Sequence, residues 1–196
     1  MATHPQTATI TLDDYLAGEE VAEFRSEFVR GEVVSMVGAS FRHNQIIHNL
    51  HLALGNQLRG GRCGVMSQAM KVRANASDDV FYPDVIVYCG EPRIEQRKGE
   101  MLLNPTLLIE VLSPSSADYD RGTKWDAYRG IPSLQEYVVL WQEKPAAERF
   151  TRQGDGFWLL SEWQGLDAEI RLDSISAQLR LSEVYEGVFT ADAQSA

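Results

Sequence analysis

YPDVIVYC at residues 82–89 and NPTLLIEVLSPS at residues 104–115 decide how the rest of this chain is read. Val85-Ile86-Val87 and Leu107-Leu108-Ile109 are uninterrupted apolar runs, the pattern of strands covered on both faces of a sheet. Each carries one carboxylate, Asp84 in the first and Glu110 in the second. A carboxylate in such a place is costly unless a cation or hydrogen-bond donors compensate it. Two of them at the ends of neighbouring strands can offer hard oxygen ligands to one Mg2+ or Mn2+, and Val111 can add its backbone carbonyl. An ion held there polarises a phosphoryl oxygen and lowers the pKa of a bound water, while a nearby lysine stabilises the charge of the transition state.

Outward from this stretch, the composition is that of a single globular domain: 196 residues, 44% hydrophobic and 23% charged. No run approaches the roughly 18 apolar residues of a membrane span. The opening MATHPQTATITLDDY has neither a basic n-region nor an apolar h-region, so it does not read as a signal peptide. Cys63 and Cys89 fit a reduced, cytoplasmic protein better than a disulfide framework, and their spacing is not that of a zinc site. The net charge of −10 argues against strong non-specific binding of nucleic acid, which needs a basic face. The acidic excess is uneven, however. Residues 62–130 hold nine basic and ten acidic side chains, whereas residues 142–196 hold five and ten.

Taken in order, residues 1–10 read as a flexible N-terminus and 11–189 as one domain. Thr11 or Asp13 caps a short helix with Leu12, Tyr15 and Leu16 on its apolar side. A second helix is expected over Glu19–Val29, with Glu20, Glu23 and Glu27 on one face. That face is either solvated or aims Glu27 into a site. Arg30-Gly31 turns the chain into a strand at 32–37, and Ser40 caps a helix over 41–59 that buries Ile46, Ile47, Leu50, Leu54 and Leu58. His48 and His51 lack the acidic companion of a metalloprotease helix, but His43 in the first turn can line a cleft. A strand or bent hairpin at 63–73 carries Lys71, a turn covers 75–79, and a charged loop covers 91–104. Ser113-Pro114 ends the Glu110 strand; a helix over 119–129 carries Arg121, Lys124, Trp125 and Tyr128. A buried strand at 136–141 and an antiparallel hairpin of 149–152 with 157–163 follow. Short strands near 169–172 and 178–181, a helix at 182–188 and a disordered tail at 190–196 complete a mixed α/β pattern.

Acid, acid and lysine on a sheet edge is the arrangement of the PD-(D/E)XK nucleases. Here Pro83-Asp84 is literal, but Glu110-Val111-Leu112 places a leucine where the lysine would stand. Lys124, on the following helix, or Lys71, as a sheet neighbour of Asp84, can replace it; each can equally be a surface lysine. SEFVRGEVVSMVGAS, HNQIIHNL, SQAMKVR and YPDVIVYC, with LLIEVLSPSSADYDRGTKWDAYRGIPSLQEYVVL, resemble the Uma-type restriction endonuclease family of that superfamily. The resemblance runs from about Thr11 to Val188.

It implies a restriction-endonuclease-like core, a central sheet flanked by helices, with metal on Asp84 and Glu110. It also implies an acidic contribution from Glu27 and Lys124 as the displaced lysine. Lys71 and His43 fall in recurring family motifs. The expected activity is Mg2+- or Mn2+-dependent hydrolysis of DNA phosphodiesters, by a homodimer or with a protein partner that helps an acidic domain hold its substrate. Two alternatives stand beside it. One is a non-catalytic binding or assembly module that keeps the fold, favoured by the missing lysine and the acidic surface. The other is a metal-dependent hydrolase acting on RNA. No GxSxG elbow or Cys/His signature points to nucleophilic catalysis.

Overall fold

The computed structural model describes residues 10–36, 38–74 and 78–189. The readings of a flexible start, of Val37 at a strand end, of the turn at 75–77 and of the tail at 190–196 fall outside them. Helix α1 (Leu12–Val21) begins at a capping box in which the Thr11 and Asp14 side chains serve each other's backbone N–H, and it buries Leu12, Tyr15 and Leu16. It stops at Ala22, whose backbone is extended.

The expected helix over Glu19–Val29 is therefore corrected. Its second half is strand β1 (Ser26–Val29), paired with β2 (Glu32–Ser35) through a hairpin at Arg30 and Gly31. Both turn residues have positive φ, 52° and 84°, as a two-residue turn matched to strand twist requires. The Glu19 carboxylate accepts the Ser26 N–H and hydroxyl, so an acid that looked like part of a helical face instead fixes the strand entry.

Helix α2 (Phe41–Leu58) starts at Ser40, whose hydroxyl accepts the His43 N–H. Then come β3 (Cys63–Ser67), β4 (Lys71–Ala74), β5 (Asp79–Phe81) and β6 (Val85–Cys89). The stretch expected to be a charged loop contains β7 (Ile94–Gln96) and β8 (Glu100–Leu102), and β9 (Leu107–Leu112) follows. A continuous helical segment comprises Ala117–Tyr119, a π turn at Asp120–Lys124, and Trp125–Tyr128. Strands β10 (Glu136–Trp141), β11 (Ala146–Arg152), β12 (Trp158–Gln164), β13 (Glu169–Leu172) and β14 (Ala177–Arg180) precede a last helical turn at Leu181–Val184.

These strands form two six-stranded sheets and a separate hairpin. One sheet has the order β2-β1-β5-β4-β8-β7, the other β12-β11-β10-β9-β6-β3, and β13 pairs with β14. The α/β expectation with an antiparallel hairpin near the C-terminus holds, with the sheet divided in two. The long strands make the second sheet: β9 and β10 are parallel, and β6 and β9 antiparallel. Its outer face packs Val85, Val87, Ile109 and Val138 against α2 and the β13–β14 hairpin. Its inner face packs Ile86, Leu108, Leu112 and Val139 against Val72, Phe81 and Leu102 of the first sheet and Tyr128 of the helical segment. Helix α1 covers the far side of the first sheet through Tyr15, Leu16, Phe28, Val80 and Met101.

The cysteine expectation is also corrected. Cys63 and Cys89 form a disulfide. They are direct partners across the antiparallel β3–β6 pair, so register rather than composition brings the two sulfurs together. Among the described residues no helix is long and apolar enough to cross a membrane.

Candidate active site

Val85 pairs with Ile109 across β6 and β9, so one further step along the antiparallel ladder sets Asp84 opposite Glu110. The two acids interlock through the backbone. The Asp84 N–H donates to Glu110 Oε2 at 3.3 Å, and the Val111 N–H donates to Asp84 Oδ2 at 2.8 Å. The remaining Asp84 oxygen lies 3.2 Å from His43 Nε2, delivered by the first turn of α2. The remaining Glu110 oxygen accepts from Lys124 Nζ at 3.1 Å and from the Tyr128 hydroxyl at 2.9 Å. Asp84 and Glu110 are 7% and 2% exposed.

Lys124 joins the elements. Lys124 is only 6% exposed, and its ammonium lies 3.1 Å from Glu110, 3.1 Å from Asp120 and 3.3 Å from Glu27. Leu112, two residues beyond Glu110, is buried in the inner core. The strand position that would hold a lysine is thus committed to packing, and the lysine arrives from the helical segment instead. Its π turn puts Asp120 and Lys124 on one buried site. Such wide turns occur frequently at functional positions. Glu27 reaches the group from β1, where its carboxylate accepts from the Tyr82 N–H at 3.0 Å and the Tyr119 hydroxyl at 2.9 Å.

Of the residues singled out from sequence, the fold brings together Asp84, Glu110, Val111, Glu27, Lys124 and His43. Lys71 stands apart. It pairs with Met101 in the first sheet, whereas β6 lies between β3 and β9 in the second. Burial holds its pKa below the usual lysine range, and its charged neighbours are Glu19, Glu20 and Arg25. Three participants escaped the sequence reading: Asp120, Tyr119 and Tyr128. Asp120 precedes Lys124 by four residues and Tyr128 follows it by four, a spacing that could have marked both as its helical neighbours.

Three buried carboxylates, Glu110, Asp120 and Glu27, therefore lie within 3.3 Å of one ammonium, and Asp84 joins them through its N–H bond to Glu110. Burial drives the Glu110 carboxyl well above the usual range; Lys124 opposes this, and Asp84, Asp120 and Glu27 reinforce it. Lys124 is also desolvated, yet Glu110, Glu27 and Asp120 hold its pKa well above that of a free lysine. Both shifts favour the protonated form: the ammonium stays charged, and the Glu110 carboxyl holds its proton more tightly than a free one. Desolvation lowers the His43 pKa, but the Asp84 hydrogen bond and charge, with the Val111 backbone, raise it to a net value above the ordinary one. Among the described residues no three side chains of His, Cys, Asp and Glu form a ready-made chelating cluster. The donor chemistry nevertheless suits a hard divalent cation, because carboxylate oxygens from two neighbouring strands gather at Asp84 and Glu110.

Known proteins share this arrangement of chain. Residues 12–183 match the Uma2 family, described as "Putative restriction endonuclease". An uncharacterized protein of Synechocystis sp., sll1609, is 37% identical over 84% of this chain and 93% of its own length. A second, slr1290, is 31% identical over 90% of this chain and 91% of its own. A crystal structure from Anabaena variabilis, titled as a "putative nuclease belonging to DUF820", superposes with a TM-score of 0.75 at 17% identity, covering 92% of this chain and 99% of that one. At that identity the likeness speaks for the fold. With residues 12–183 matched, and relatives above 30% identity along nearly their full length, the chain belongs to the Uma2 family.

Proposed function

We propose that the protein is a divalent-metal-dependent endonuclease that hydrolyses phosphodiester bonds of DNA. The observation that carries this reading is Lys124, whose ammonium lies within 3.3 Å of both Glu110 and Glu27 although no lysine follows Glu110 on its strand. Asp84 and Glu110, with the Val111 carbonyl, would hold Mg2+ or Mn2+. Bound there, the ion supplies a polarised phosphoryl oxygen and an acidified water. Lys124, kept charged by its carboxylates, supplies positive charge for the transition state. Tyr128 and Asp120 fix the directions of Glu110 and Lys124, and His43 holds one oxygen of Asp84.

The test is cleavage of supercoiled plasmid in Mg2+ or Mn2+ by the purified chain. Asp84→Ala, Glu110→Ala and Lys124→Met are each expected to reduce cleavage at least about a hundredfold, the scale of losing a group that stabilises transition-state charge. Full activity in Glu110→Ala would sink the proposal. One observation favours a second reading, a non-catalytic module: every carboxylate oxygen of Asp84 and Glu110 already has a partner within the chain. That reading requires that calorimetry find no divalent-ion binding and that neither DNA nor RNA be cut. Cleavage of RNA alone would instead assign the hydrolase to RNA.

A further inference from the structure

We propose that the nucleic acid engaged by this site is an unpaired strand, held by base stacking on Phe24 and Phe41 rather than by a basic duplex-binding face. This rests on the nuclease reading of the acid–lysine centre. Phe24 is 76% exposed and Phe41 70% exposed, although both lie on segments that feed the site. Phe24 comes three residues before Glu27, and Phe41 two residues before His43. Hydrogen bonds join each of these segments to a neighbour. The Met36 N–H donates to the Arg25 carbonyl, linking the approach to α2 with the start of β1. The Ser40 hydroxyl donates to Gln142 at 2.8 Å, linking the start of α2 with the end of β10.

Two cations lie on the segments so joined. Arg25 lies 5.3 Å over the ring of Tyr82, whose N–H holds Glu27. Lys144 lies 5.2 Å over the ring of Trp141, which pairs in register with Leu112 just beyond Glu110. Among the described residues neither Arg25 nor Lys144 forms an ion pair with an acid. Two exposed phenyl rings and two cations outside ion pairs suit a single strand, because each base presents a π-face and few phosphates need neutralising. Duplex binding relies on many phosphate contacts, which a chain of net charge −10 is poorly placed to make.

The experiment measures anisotropy of a fluorescein-labelled oligothymidine of about 20 nucleotides, free and annealed to oligoadenosine, with the full chain in EDTA so that binding is scored without cleavage. The single strand should bind at least about tenfold more tightly than the duplex. Phe24→Ala and Phe41→Ala should each weaken it roughly tenfold and leave the duplex unaffected. With two phosphates neutralised, the logarithmic salt dependence should have a slope near about −1.4. Equal or tighter duplex binding, or unchanged single-strand affinity in both variants, overturns the inference. So does a dimer in sedimentation that these substitutions dissociate, because the rings would then belong to a second copy. The nuclease reading fails separately: if the strand binds as expected but nothing is cut in Mg2+ or Mn2+, catalysis is lost and strand binding stands. If plasmid is cut equally well by the double variant, stacking is lost and catalysis stands.

Discussion

Glu110 in β9 and Glu136 in β10 are buried carboxylates on neighbouring parallel strands, and their surroundings differ in kind. Glu136 is 1% exposed at the start of β10. It meets one cation, Arg149 at 3.4 Å, and accepts from the Ser174 N–H and hydroxyl. Burial raises its pKa, but Ser174 and Arg149 act against that, with Asp173 as an opposing acid. Glu110, paired across the strands with Val139 three residues further along β10, meets one cation that it shares with Glu27 and Asp120. The structural carboxylate faces an arginine of its own, whereas Glu110 shares one lysine with two further acids. Burial alone distinguishes neither; the sharing does.

The sharpest way to break the comparison is Lys124→Met. It leaves three buried carboxylates without their ammonium and should cost about 3–5 kcal/mol, a fall in Tm of roughly 10 °C read by calorimetry in EDTA. A smaller loss would mean that the acids relieve one another by taking up protons. Next, Mg2+ at about a hundred times its Kd should stabilise the wild type by about 2.7 kcal/mol. Glu110→Gln should abolish that response and Glu136→Gln should retain it. A response lost equally in both would erase the distinction between the two carboxylates.

Glu136→Gln itself should cost about 2 kcal/mol in urea unfolding, since it strips the charge facing Arg149. Glu110→Gln should fall within about 1 kcal/mol of wild type at pH 7 in EDTA, on the stabilising side, because Lys124 retains Glu27 and Asp120. Its pH dependence follows from the raised carboxyl. Glu110 binds its proton more tightly in the folded state, so its stabilisation is complete below the unfolded value near about 4.3. The stabilisation fades as pH rises through the raised folded value. Wild type in EDTA should therefore lose stability across that window, and Glu110→Gln should lose less. Matching curves would place the raised proton affinity on another acid of the cluster.

Legibility in the sequence followed the strength of local patterning. The β6 and β9 runs are long and apolar enough to announce a covered sheet, and Asp84 and Glu110 stand out within them. The first sheet uses strands of three to four residues whose partners are distant in sequence, so hydrophobic periodicity has little to act on. That is why Glu27 could be read on a helix, and why Lys71 could be expected beside Asp84 before the chain crossed from β3 to the other sheet. Asp120 was hidden differently. In a segment with Asp118, Arg121 and Asp126, only the four-residue step to Lys124 sets the acid that is 4% exposed apart from those at the surface.

The short helical segment at 117–128 carries a consequence of its own. Its hold on the sheet includes the Tyr137 hydroxyl bonded to the Asp120 carbonyl and the Lys124 contacts themselves. Asp84 and Glu110 belong to a block of long strands, and the lysine rides on an element packed onto that block through the buried Tyr128 and through Trp125, stacked on Tyr137 and Phe150. Heating should therefore take the centre and the sheet apart in one step. Near-ultraviolet signals from Tyr119, Trp125 and Tyr128 should change together with the melting of the sheet, giving this protein an inactivation temperature equal to its unfolding temperature.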